Sequence, residues 1–136
     1  MEISPYVMFG GQCREAFTAY QQVLGGTLQV MTYGEGPPAD GPAQPPDHVM
    51  HARLEAHGAV LMASDGPGGD AGKDNVWVSL TVGEVAEAER IFAALAERGQ
   101  VVMPIGETFW ALRFGMLKDR FGVSWMINCS QPRSSR

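Results

Sequence analysis

Residues 76–99 read VWVSLTVGEVAEAERIFAALAERG, and this stretch decides the fold class. Over 76–82 aliphatic residues alternate with Trp, Ser and Thr, a period of two that predicts a strand with one aliphatic face. From residue 84 the apolar residues recur at helical spacing, which predicts a helix over 84–98. Gly99 closes the predicted helix. The stretch is therefore a strand followed by a helix.

The rest of the chain repeats this unit. Three further strands follow Gly99, and the first half of the sequence has the same order of strand, helix and three strands. The predicted elements of the first half are strand 3–9, helix 12–24 and strands 27–33, 48–56 and 59–65, and those after Gly99 are strands 100–104, 109–116 and 122–128. Pro- and Gly-rich segments, at 34–47 and 65–75, predict loops.

Residue matches support a duplication. A shift of 72 residues superposes the two helices, and a shift of 64 superposes the last strands of the two halves. The matched pairs are Ala16 with Ala88, Tyr20 with Phe92, Val23 with Leu95, Pro5 with Trp77, Gly58 with Gly122 and Met62 with Met126. The predicted buried stripe of the first helix is Ala16, Tyr20, Val23 and Leu24. Self-similarity of this kind is typical of a duplicated supersecondary unit.

Length predicts one domain over residues 1–136, with a first module at about 1–66, a second at about 75–129 and a tail at 130–136. A chain of 136 residues with 45% hydrophobic content can bury a single core. The formal charge of -5 comes without a basic cluster, so nucleic acid is not an expected partner.

No membrane segment or disulfide framework is expected. No apolar run approaches the roughly 20 residues that cross a bilayer, and the N-terminus lacks a signal-peptide pattern, which predicts a soluble, cytoplasmic protein. The two cysteines, Cys13 and Cys129, are too few for a disulfide framework and are interpreted as ordinary buried thiols.

The period of two also predicts a mixed face on each sheet, opposite the helix. His51 and Arg53 alternate with Ala52 and Leu54, so the two polar residues share the mixed face. Met62 and Met126 lie on the mixed faces of their strands by the same rule. If the sheet curves, these faces line a concave pocket.

Three segments resemble a known family. They are YVMFGGQCREAFTAYQQVLGG at 6–26, MHARLEAHGAVLMASD at 50–65 and ETFWALRFGMLKDRFGVSWMIN at 107–128. They are similar to the PhnB-like proteins of the vicinal oxygen chelate superfamily, which includes glyoxalases, bleomycin resistance proteins and dioxygenases. The resemblance implies an α+β fold in which two βαβββ modules form a cupped eight-stranded sheet with helices on its outer face. It also implies a homodimer.

The resemblance locates the positions at which glyoxalase-type relatives bind a metal with His and Glu. Carried onto this sequence, the positions of the first strands are Pro5 and Trp77, and those of the last strands are Met62 and Met126. None of the four suits a hard or borderline divalent cation, since thioether sulfur favours Cu(I). We therefore predict no metal and no cofactor. The alternative is that the two methionines are plain core residues.

Some relatives are described as demethylubiquinone methyltransferases, but this sequence does not predict that activity. No strand is predicted to end in a glycine-rich turn suited to S-adenosylmethionine. Neither a phosphate loop nor a serine-hydrolase elbow is present in the sequence.

Two functions of different class follow. The first is a metal-independent binding protein whose pocket holds a small amphipathic or aromatic molecule. Its expected ligand-pocket residues are His51, Arg53, Met62, Trp77, Glu107, Trp110 and Met126. The alternative is a metal-dependent lyase, isomerase or dioxygenase with a displaced site near His51 and Glu107, where a Lewis acid would stabilise an oxyanion. No catalytic residue is assigned, and the ligand itself is not identified by the sequence.

Overall fold

A computed structural model describes residues 4–36, 44–66, 76–108 and 110–130. Its elements follow the predicted order, and the predicted loops at 34–47 and 65–75 lie partly outside the described residues. The elements are β1 (Tyr6–Phe9), α1 (Cys13–Leu24), β2 (Thr27–Thr32), β3 (Val49–Ala56), β4 (Ala59–Asp65), β5 (Val78–Val82), α2 (Val85–Ala96), β6 (Gln100–Gly106), β7 (Ala111–Lys118) and β8 (Ser124–Ser130).

The chain forms two compact units, residues 1–72 and 73–136. Each unit contains one four-stranded sheet and one helix, and the strand orders are equivalent, β1-β4-β3-β2 in the first and β5-β8-β7-β6 in the second. In each sheet the first and last strands of the unit are parallel, and the other pairs are antiparallel. The predicted α+β class with two βαβββ modules is confirmed, and hydrogen bonding groups the eight strands into two sheets of four.

In the first unit α1 packs on one face of its sheet. The helix buries Cys13, Ala16, Phe17 and Tyr20, and Phe9 of β1 meets the Phe17 ring edge to face with centroids 6.3 Å apart. The predicted stripe was wrong in part: Phe17 is fully buried, whereas Val23 and Leu24 are only half-buried. The physical reason is that the helix ends at Leu24, so its last turn lies at the margin of the core.

Asp65, at the end of β4, joins three segments of the first unit. Its carboxylate accepts hydrogen bonds from the backbone N–H groups of Gly11 (2.8 Å), Cys13 (3.1 Å) and Val49 (2.8 Å). The sequence predicted no strand that ends in a glycine turn suited to S-adenosylmethionine. In the structure, however, β1 leads through Gly10 and Gly11 into α1. Asp65 accepts the N–H groups of Gly11 and Cys13, so the carboxylate of this chain occupies the position at the start of α1 where these two N–H groups point.

Cys13 makes the first unit sensitive to alkaline pH. Burial, and secondarily the negative charge of Asp65, raises the pKa of the Cys13 thiol to about 12. Between roughly pH 9 and 12 the unfolded chain releases this proton while the folded chain keeps it. Folding stability should therefore be unaffected by this group below pH 9 and fall above it, by up to about 1.4 kcal/mol per pH unit. Urea unfolding from pH 7 to 10.5 measures this slope.

The variant Cys13→Ala is the control for that prediction. It creates a small cavity and lowers stability at every pH. It should also remove the contribution of one titrating proton to the fall in the free energy of unfolding above pH 9. Identical slopes for the wild type and Cys13→Ala would contradict the assignment of alkaline sensitivity to this thiol.

In the second unit α2 packs on all four strands. The predicted aliphatic face of β5 is confirmed: Val78 is the register partner of the buried Trp125, and Leu80 that of the buried Ile127. The approach of the helix is close at Gly115 of β7, where an added Cβ would lie 2.6 Å from the Phe92 ring. A side chain at this position would therefore overpack the core.

The last two strands occupy slightly later residues than predicted. β7 and β8 each end two residues beyond the predicted limit, and a register shift lies between Ala111 and Arg113. Beyond that shift the strand alternates regularly despite its glycine. Arg113 reaches Glu89 of α2 on the helix side, with Nε 3.1 Å from Oε2, and Phe114 therefore lies on the opposite face.

Candidate functional site

Each sheet has a face away from its helix, which we call its helix-free face. On the first sheet, register partners place Gln29, Arg53, Met62 and Tyr6 in one row across four strands. A neighbouring pair is His51 with Met31, and Met8 pairs with Ser64. Because register partners project to the same side of a sheet, these side chains form one surface.

A tyrosine and a histidine meet on this surface. Tyr6 Oη lies 3.3 Å from His51 Nδ1, and the ring centroids are 5.9 Å apart. If the phenol donates to Nδ1, the neutral imidazole carries its proton on Nε2 and presents an N–H donor. Tyr6 is 47% exposed, so the pair is accessible.

Arg53 supplies the positive charge of the same face. Its Nη2 lies 3.8 Å from Glu55 Oε2, a long contact between two exposed groups that contributes little to stability. Met62 is its register partner on β4. A guanidinium beside a thioether and an aromatic ring suits a ligand that combines an anionic or acceptor group with an apolar body.

Methionines supply much of the apolar area. Met8 is 40% exposed and accepts a hydrogen bond from Ser64 Oγ at 3.3 Å, and Met31 is 44% exposed. The side chains of Met31 and Met50 converge at Gly36, which leaves room for them. Unbranched thioether side chains adapt to ligands of different shape, so this face is suited to apolar contact without rigid specificity.

The registers correct the predicted equivalence of Pro5 with Trp77. Met62 is the register partner of Tyr6, and Met126 is that of Ser79. Tyr6 and Ser79 are therefore the equivalent first-strand positions, one residue further along than Pro5 and two further than Trp77. The shift of 72 was derived from the helices, and the strand registers correspond to a shift of 73.

The helix-free face of the second sheet also carries a methionine row. Met103, Met116, Met126 and Ser79 are successive register partners, and the next row is Gly106, Phe114, Asn128 and Thr81. At one end of β7, Trp110 packs edge to face on Phe114, with centroids 5.5 Å apart at 65°. Neither tyrosine nor histidine occurs on these two rows, so the two helix-free faces differ in polarity.

The remaining predicted site residues belong to the second unit. Trp77 directly precedes β5 and is half-buried, whereas Glu107 follows β6 and is exposed. Trp110 precedes β7 and is 49% exposed. Within their units, the structure brings together Arg53 with Met62, and Trp110 with the Phe114 ring near Met126. The assignment of all seven residues to a ligand pocket stays a prediction.

Several side chains of these faces were not among the predicted site residues. They are Tyr6, Met8, Met31, Phe114, Met116 and Asn128. Tyr6 and Met8 were missed because the first strand was predicted to begin before the observed start of β1, so its alternating residues could not be assigned to the two faces of the sheet. Phe114 and Met116 were missed because the two glycines of their segment obscured the alternation. The alternation of β8 places Asn128 with Met126, so this residue was accessible to sequence reasoning.

No group of three His, Cys, Asp or Glu side chains suited to a metal ion occurs within residues 4–36, 44–66, 76–108 and 110–130. His51 has Tyr6 as its side-chain neighbour in the first unit, and Glu107 lies in the second. Neither α1 nor α2 is long and apolar enough to cross a membrane.

Sequence comparison identifies the family. The model of the family described as 3-demethylubiquinone-9 3-methyltransferase matches residues 1–128. Protein YjdN of Escherichia coli (strain K12) is 37% identical over 139 residues, which cover 94% of this chain and 95% of YjdN. The crystal structure of protein PA1353 from Pseudomonas aeruginosa is 51% identical, with a TM-score of 0.86 and coverage of 97% and 99% of the two chains.

More distant structures share the fold. A PhnB protein from Bacillus cereus is 24% identical with a TM-score of 0.73, covering 96% of this chain and 100% of that one. A glyoxalase/bleomycin resistance protein/dioxygenase domain from Frankia sp. EAN1pec is 13% identical with a TM-score of 0.58, covering 96% and 95%. The chain therefore belongs to the 3-demethylubiquinone-9 3-methyltransferase family, a PhnB-like group, and has the fold of the glyoxalase/bleomycin resistance/dioxygenase superfamily.

Proposed function

We propose that this protein binds a small amphipathic or aromatic molecule on the helix-free faces of its sheets. The observation that carries the proposal is the row Tyr6, Met62, Arg53, with His51 hydrogen-bonded to the tyrosine. An aromatic ring, a thioether, a guanidinium and an imidazole on one accessible surface combine apolar contact with a few orienting polar groups. Small-molecule sites are typically built in this way.

The proposal includes the residues predicted from sequence. His51, Arg53 and Met62 are the proposed ligand contacts in the first unit, and Trp77, Glu107, Trp110 and Met126 are those in the second unit. The family description names a 3-demethylubiquinone, a ring compound of the proposed class. We propose binding and no methyl transfer, because the N–H groups of Gly11 and Cys13, where β1 leads into α1, are bonded to Asp65.

Binding of 2-naphthoate tests this function, because the probe joins an aromatic body to a carboxylate that Arg53 can pair with. With methionine methyl groups labelled with ¹³C, saturable shifts are expected at Met62 and Met126 through ring currents. Arg53→Ala and His51→Ala should each weaken affinity about tenfold, the equivalent of one charge-assisted hydrogen bond. The control Arg90→Ala removes an exposed arginine of α2 and should leave affinity unchanged.

Two results would reject the proposal. One is the absence of any shift at the methionines of the helix-free faces. The other is stoichiometric Zn, Ni, Mn or Fe in protein purified without chelators, lost in His51→Ala or Glu107→Ala. The second result would favour the metal-dependent lyase, isomerase or dioxygenase of the alternative prediction.

A further inference from the structure

One buried polar atom of the second helix-free face has no hydrogen-bond partner. Among the described residues, the side-chain oxygen Oδ1 of Asn128 is buried and unpaired. A buried carbonyl that makes no hydrogen bond leaves its lost hydration uncompensated, so such groups are rare in folded proteins. Asn128 lies in the middle of β8, where an aliphatic residue would fit the strand without the cost of an unpaired buried oxygen.

The surroundings of this oxygen indicate what would satisfy it. Asn128 is the register partner of Thr81 on one side and of Phe114 on the other. The Phe114 ring packs against Trp110, which is 49% exposed. Side chains of register partners lie about 4.5–5.5 Å apart at Cβ, so the unpaired acceptor is next to an aromatic pair with an accessible ring.

We propose that Asn128 Oδ1 accepts a hydrogen bond from a hydroxyl or amino group on an aromatic ligand whose ring packs against Trp110 and Phe114. This inference rests on the proposed function and adds to it the chemical class of the ligand, a ring compound with an O–H or N–H donor. Met116 and Met126 lie in the adjacent row. Because methionine side chains change rotamer readily, we expect movements of neighbouring side chains to let the donor reach the buried oxygen.

An amide acceptor discriminates sharply between a donor and its capped analogue. A ring hydroxyl donates a hydrogen bond to the amide oxygen. A methyl ether has no donor, so it places its own oxygen against the amide oxygen and leaves both acceptors without a hydrogen bond. The same oxygen lowers the stability of the ligand-free protein, because it is unpaired there. Loss of the amide should therefore reduce selectivity without reducing stability.

The experiment compares 2-naphthol with 2-methoxynaphthalene by isothermal titration calorimetry on the full chain. The wild type should bind 2-naphthol about tenfold more tightly, the equivalent of one hydrogen bond. In Asn128→Leu the affinity for 2-naphthol should fall to that for the ether, while the urea midpoint is unchanged or raised. Asn128→Asp keeps acceptor oxygens and should retain the preference, and Thr81→Val, a change in the same row, should retain it too.

Each other outcome has a distinct meaning. Equal affinities of the wild type for the two probes would overturn the inference and leave the proposed function in place. A preference retained in Asn128→Leu would assign the acceptor to another residue and also overturn it. If neither probe binds any protein, the proposed function itself fails on this face. Should Asn128→Leu not fold, loss of the preference in Asn128→Asp decides against the inference.

Discussion

Replacing Asp65 with alanine should lower the free energy of unfolding by about 3–5 kcal/mol. The carboxylate is 1% exposed and accepts three backbone hydrogen bonds. Hydrogen bonds to a charged group contribute about 1.5–3 kcal/mol each, and the variant leaves three donors without an acceptor. Relief of the cost of burying the charge offsets part of this sum. Since small domains are stable by about 5–15 kcal/mol, the effect removes a large share of stability.

Urea denaturation measures this effect as a fall in the midpoint at an unchanged slope. Asp65→Asn should lose about 2 kcal/mol, because one oxygen is kept while the amide nitrogen opposes an N–H donor. Asp47→Ala, the loss of an exposed aspartate, should change stability by less than about 0.5 kcal/mol. A midpoint for Asp65→Ala close to that of Asp47→Ala would show that the carboxylate does not hold β3 and α1 in place.

Asp119→Ala should destabilise the second unit to a similar extent, about 3–5 kcal/mol. Asp119 Oδ1 accepts the N–H groups of Phe121 and Val123, both at 2.9 Å, and Oδ2 accepts the indole N–H of Trp125 at 2.9 Å. The first two bonds close the turn between β7 and β8, and the third fixes the largest buried side chain of the core. As for Asp65, the variant loses hydrogen bonds to a charged group, and relief of the cost of burying the charge offsets part of this loss.

Trp125→Phe separates the two roles of Asp119. It removes the indole N–H and part of the packing but keeps the turn, and it should cost less than Asp119→Ala. Hydrogen exchange supplies an independent readout: in Asp119→Ala the amides of Phe121 and Val123 should lose protection, while that of Val49 in the first unit is unchanged. Retained protection at Phe121 and Val123 would contradict the role of this carboxylate.

The role of the Asp119 carboxylate in the turn before β8 was not recognised in the sequence, although its cause is local. DRFGV places an aspartate two and four residues before N–H groups that its side chain can accept, a pattern typical of turns that begin with Asp. Asp65 has no comparable local signal, since two of its partners lie 54 and 52 residues earlier. Only the fold brings these donors to one carboxylate.

Much of the candidate site followed from alternation, and the rest depended on register. Arg53 and Met62 were assigned to mixed faces from the period of two, and the structure pairs them directly. Tyr6 was missed because the first strand is short, and its partner Met62 is 56 residues away. The equivalence of Pro5 with Trp77 was wrong because it was derived from the shift that superposes the two helices, and helix spacing does not determine strand pairing.

The amino-acid sequence by itself determined the order of elements, the duplication and the buried side of most strands and helices, because these depend on periodicities of 2 and 3.6 residues along the chain. Tertiary structure alone decided which side chains become neighbours: Tyr6 with His51, Asp65 with the start of α1, and Asn128 with Phe114. These contacts join strands distant in sequence, and their register is set by the packing of the whole unit rather than by local preference.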